Sequence, residues 1–134
     1  MTDKNNNFLN DNDITGSFDT DDIVQNKTLA AIGYIPVLFL VPLLAAPNSR
    51  FARFHANQGL ILTLASIALY IAKAVIGNIF SYIPLVRLFV PSVINIVASV
   101  VVLAYIIIGM ITAASGKGRK LPFIGGMLNI LYSE

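Results

Sequence analysis

Residues 28–46, TLAAIGYIPVLFLVPLLAA, carry no charge and almost no polar side chain. A run of about 20 apolar residues crosses the roughly 30 Å hydrocarbon core of a bilayer as a helix. The stretch therefore reads as a first transmembrane helix, bent at Pro36 and Pro42, whose freed carbonyls need partners on neighbouring helices. Two further apolar runs follow, 57–78, whose one charge is Lys73, and the uncharged 92–114. The expected fold is an all-α integral membrane bundle. It has three transmembrane helices and a short C-terminal segment, 121–132, that is too short to span and reads as interfacial or re-entrant.

Composition agrees with lipid contact: of 134 residues, 56% are hydrophobic and 12% charged, too few charges for the surface of a soluble domain this small. The net charge of +2 hides an asymmetry. Residues 1–27 hold six Asp and two Lys, and residues 28–134 hold seven basic residues and Glu134 as their one acid. Residues 1–27 are read as an acidic, disordered tail and 28–134 as the membrane domain. A basic membrane domain with an acidic tail explains the pI near 9.0 without nucleic-acid binding. The polar, acidic lead and Pro47 after Ala45-Ala46 speak against a cleaved signal peptide. With no Cys there is no disulfide or thiol chemistry.

Cations set the expected orientation. Arg50, Arg53, Lys117, Arg119 and Lys120 form two clusters that read as headgroup anchors on one side, which predicts the N-terminus out and the C-terminus in across a bacterial cytoplasmic membrane. Lys73 is placed to reach the headgroups along its stem. The connection 79–91, IFSYIPLVRLFVP, reads as interfacial, with Tyr82 and Arg87 at headgroup level.

His55 stands at the start of the second span, in Phe54-His55-Ala56-Asn57-Gln58-Gly59. A hydrolytic dyad or metal cluster needs partners, and residues 28–134 contain no Asp and no Cys. No enzyme activity and no catalytic residue is expected. The bland role, a polar helix start at the membrane boundary, is favoured. The tail contains one cofactor candidate. Residues 11–22, DNDITGSFDTDD, align with a twelve-residue calcium loop through Asp11, Asp13, Thr15, Asp19 and Asp22, but position five is Thr15 and position twelve the short Asp22. Otherwise no cofactor is expected.

Ala68/Ala72 and Gly109/Ala113 are small pairs that let helices approach, and Asn95 and Ser99 make a mildly polar stripe suited to an interhelical hydrogen bond. The array Lys27–Tyr34, the stretch Arg53–Gly59 and the close from Gly109 to Gly125 together resemble a bacterial family of small membrane proteins of unknown function. These are the Tic-twenty-like proteins, relatives of a twenty-kilodalton subunit of the plastid inner-envelope import translocon. The resemblance covers about residues 25–132. It implies four spans, a setting in protein movement across membranes, and Phe54, His55, Asn57, Gln58 and Gly59 as the singled-out positions, with no catalytic role. The expected function is a scaffold or accessory subunit in protein transport or envelope maintenance, acting in the lipid bilayer through contacts with other membrane proteins or itself. The alternative is a small homo-oligomeric channel or transporter lined by Asn57, Gln58, Asn95 and Ser99, although the spans lack the buried charges of an ion path.

Overall fold

The computed structural model describes residues 12–132. Among these, the chain forms a 3-10 turn at Thr15–Ser17 and four α-helices: α1 (Thr20–Ile32), α2 (Leu40–Ala45), α3 (Arg50–Phe80) and α4 (Pro84–Ala114). No strand forms among the described residues; Asp13 and Arg119 make an isolated antiparallel bridge. The all-α expectation holds.

Two helices, α3 and α4, are long and apolar enough to cross a membrane. Each has 31 residues and so extends about 46 Å at 1.5 Å per residue. Only 22% of the most apolar window of α3 and 17% of that of α4 is buried. The core helix of a soluble protein would hide that surface, so these helices mark a membrane-associated protein. They pack against each other as a hairpin closed by the turn at Ser81–Ile83. Pro84 occupies the first position of α4, where a missing N–H costs nothing. The connection expected over 79–91 is thus the hairpin tip, with two turns of α4 running through Pro91.

The first expected span, 28–46, does not form as one helix. The run 28–46 is split between the end of α1, a chain of turns and the six-residue α2. Pro36 and Pro42 both lack an N–H, and Val37, at φ 73°, takes a left-handed conformation that ends any continuous helix. α1 and α2 double back on each other, both packed on α3. At their apex the Val37 N–H donates to Thr63 Oγ1 at 3.3 Å. The segment is a re-entrant helical hairpin lying against the first half of α3.

The ordered core sits where α3 begins and α4 ends. Phe18, Tyr34, Phe51, Phe54, Leu62, Ala113, Leu121 and Tyr132 pack there. Phe18 belongs to the stretch expected to stay disordered, and within the described part of that stretch residues 15–27 also supply the 3-10 turn and the start of α1. Residues 117–132 contain no helix and fold back as a strap over the same end. The Ile14 N–H donates to the Gly118 carbonyl at 2.8 Å and the Lys120 N–H to that of Asn12 at 2.8 Å. The two ends of the described chain are therefore neighbours.

Candidate functional site

The start of α3 is tied down from outside the helix. Ser49, its N-cap, accepts from the Ala52 N–H at 2.9 Å. Asp22, reaching across from α1, accepts from the Phe51 N–H at 3.0 Å, from Asn26 Nδ2 at 2.8 Å and from the Ser49 hydroxyl. Free N–H groups and the positive end of the helix dipole both favour a carboxylate there.

One turn further on, His55 is fully buried. Its Nε2 lies 3.0 Å from the Lys117 carbonyl and its Nδ1 2.6 Å from the Tyr34 hydroxyl. A carbonyl only accepts, so Nε2 carries the proton and Nδ1 accepts from the Tyr34 O–H. The ring is neutral in this arrangement. Phe51 and Phe54 meet its faces edge-on, with centroids 4.6 and 5.0 Å away.

Asn57 and Gln58, also buried, address the strap. Asn57 Nδ2 donates to the Leu128 carbonyl at 2.8 Å, while its Oδ1 accepts from the N–H groups of Ile130 at 3.0 Å and Leu131 at 3.2 Å. Gln58 Nε2 donates to the Gly125 carbonyl at 2.9 Å and its Oε1 accepts from the Leu121 N–H at 2.9 Å. The two side-chain amides take the place of a partner strand. A non-helical segment needs such partners for the backbone groups that it buries. Among the described residues no buried side-chain N or O lacks a hydrogen bond.

Glycine makes two of the contacts possible. A Cβ on Gly59 would come within 1.9 Å of the Gly33 carbonyl oxygen, and one on Gly109 within 2.1 Å of the Tyr34 ring. Gly109 and Ala113, one of the small pairs, thus seat α4 against the re-entrant hairpin; Ala68 and Ala72 are exposed. Tyr34 is the hinge of both arrangements, touching His55 with its hydroxyl and Gly109 with its ring.

The structure brings together all five singled-out positions, Phe54, His55, Asn57, Gln58 and Gly59, but inside α3 and not at its start. The five expected anchors also gather at this end. Arg53 Nε donates to the Leu131 carbonyl at 3.0 Å, the Arg50 guanidinium stacks 5.8 Å from the Tyr132 ring centre, and Arg119 lies 3.4 Å from Asp13. Lys117 and Lys120 stand on the strap beside it. Of the calcium-like set, Asp11 lies outside the described residues. Asp13 is bound to Thr15 and Arg119, Asp19 caps α1, and Asp22 caps α3. Among the described residues no group of three or more His, Cys, Asp or Glu is placed to hold a metal ion. Sequence reasoning missed the role of Asp22, because nothing in an acidic tail says which carboxylate meets a helix end 29 residues later.

The geometry is that of a clamp. The family model of the magnetosome magnetite crystal formation proteins matches residues 25–128. The magnetosome protein MmsF of Paramagnetospirillum magneticum is 32% identical over 105 residues, which are 75% of this chain and 82% of that protein. No solved structure matches. The chain belongs to the magnetosome magnetite crystal formation family. This overturns the resemblance to the Tic-twenty-like family, whose marks were largely generic to apolar helices. The family match equally overturns the expected functions, protein transport or envelope maintenance and the channel or transporter alternative.

Proposed function

We propose, from membership of that family, that this chain is a membrane-embedded, non-catalytic component of magnetite crystal formation. In this reading the α3–α4 hairpin crosses the bilayer on which mineral forms, and the clamped end presents an ordered, charged face to one side of it. The observation that carries the reading is the extent of the family match. Residues 25–128 begin within α1 and end within the strap, so they take in the hairpin, the re-entrant segment and the His55–Gly59 clamp.

The clamp gives that face its shape. Arg50, Arg53, Lys117 and Arg119 are exposed there, together with Asp19 and Asp21. Buried amides and a neutral imidazole hold the strap that carries or flanks four of them. In this reading the chain acts by fixing charges at a membrane surface, with the buried amides of Asn57 and Gln58 spent on the backbone of the strap.

The test is replacement of MmsF by this chain in Paramagnetospirillum magneticum, with the number, size and shape of magnetite crystals measured by electron microscopy. A tagged copy should enter the magnetosome membrane and restore the crystals. Asn57→Leu should reach the membrane and restore them poorly. Correct membrane insertion of the unaltered chain with no effect on crystals would overturn the proposal.

A further inference from the structure

A second polar feature lies away from the clamp, in the seam between α3 and α4. Lys73 Nζ donates to Asn95 Oδ1 at 2.9 Å and sits 5.8 Å from the centre of the Tyr70 ring. Below it, a groove of about 450 Å³ runs down the seam over Leu69, Val102, Leu103 and Ile106, with Ser99 on its wall. Neither helix contains an Asp or Glu, so Lys73 has no carboxylate to answer it on α3 or α4.

Depth explains the position of this cation. Lys73 follows Arg53 by twenty residues of α3, about 30 Å of helix and one hydrocarbon thickness. With the arginines of the clamped end at one headgroup layer, Lys73 stands at the other. The groove then descends from Lys73 to Ile106; Asn95 and Ile106 are eleven residues apart on α4, about 16 Å, or the depth of one leaflet. A cation at headgroup level above an apolar groove one leaflet deep matches the charge and length of a single amphiphile.

We infer that the α3–α4 seam binds one anionic phospholipid, its phosphate on Lys73 and an acyl chain along Leu69, Val102, Leu103 and Ile106. Charge complementarity selects the occupant, since cationic pockets between membrane helices attract anionic headgroups and an ordinary zwitterion gains much less. The inference rests on the hairpin crossing the bilayer and is independent of any part in mineral formation.

Native mass spectrometry of the full chain, released from nanodiscs of mixed phosphatidylglycerol and phosphatidylcholine, reads the bound lipid directly. One phosphatidylglycerol per chain should be retained. Lys73→Gln should lower its retention about fivefold, the ~1 kcal/mol that one lysine contributes near an anionic surface. Ser99→Phe, which fills the groove and leaves Lys73 in place, should lower it as well, and Arg87→Gln at the hairpin tip should not. Should Lys73→Gln lose its helical circular dichroism, Ser99→Phe decides the matter. Equal retention of the two lipids, or retention unchanged by Ser99→Phe, would overturn the inference. Failure of the hairpin to cross would show separately, as loss of the two-sided labelling of Tyr82→Cys and Asn48→Cys in sealed vesicles.

Discussion

Asn57 donates one hydrogen bond and accepts two, all to the backbone of the strap. Asn57→Leu strands those groups, and each buried unsatisfied group costs about 1–3 kcal/mol. Hydrogen exchange of residues 121–132 should speed up sharply in this variant, with α4 little changed. Tyr34→Phe leaves His55 Nδ1 without its donor and should lower stability by about 1–3 kcal/mol on the same grounds. The glycines supply a matched pair. Gly59→Ala drives a methyl group into the Gly33 carbonyl, whereas Gly77, in the exposed half of the same helix, has nothing within 4 Å. In thermal unfolding, Gly59→Ala should lose about 1–3 kcal/mol and Gly77→Ala should gain about 0.5–1 kcal/mol. The Asp13 carboxyl is held below the usual carboxylate range by the Thr15 hydroxyl first, then by the Thr15 N–H and Arg119. A depressed carboxylate contributes stability above its unfolded pKa and loses it as pH falls through the folded one. The contact between residues 13 and 119 should therefore hold at pH 5 and loosen only below about pH 4. At this scale the sequence was half legible. Phe54, His55, Asn57, Gln58 and Gly59 stood out, but their partners at 117–131 are distant in the chain and carry no matching signal, since what they offer is backbone.

The re-entrant hairpin and the strap share a physical problem, irregular backbone whose polar groups need partners, and solve it by leaning on α3. Composition alone made 28–46 a span; Pro36 and Pro42 were read as bends, and the structure takes them as part of a reversal. A hydropathy window counts side chains and does not count missing N–H groups, so it cannot separate the two. Val37 carries the strain of that reversal at φ 73° with its side chain 59% exposed. Val37→Gly should relieve it, raising stability by about 1 kcal/mol in chemical or thermal unfolding, because little side-chain burial is lost. α3 and α4 were legible as elements, though not in their extents. The second span starts at Arg50 instead of Asn57 and the third at Pro84 instead of Ser92. The polar and proline residues taken as boundaries are satisfied within the longer helices.

At the scale of the molecule, a hairpin about 46 Å long carries an aromatic and polar clamp at one end and an exposed apolar tip at the other, with Tyr82 88% exposed. The clamped end gathers both ends of the described chain, the start of α3 and the five cations once read as anchors. That layout depends on two crossings. With three, Asn48 and Lys27 would face opposite sides of the membrane; with a re-entrant segment and a hairpin, they share one. The deciding measurement is labelling of single cysteines by a membrane-impermeant maleimide in sealed vesicles of one orientation, placed in turn at Lys27, Asn48, Tyr82 and Arg119. The account predicts that Lys27→Cys, Asn48→Cys and Arg119→Cys react from the same side and Tyr82→Cys from the other. Labelling of Lys27→Cys and Asn48→Cys from opposite sides would contradict it.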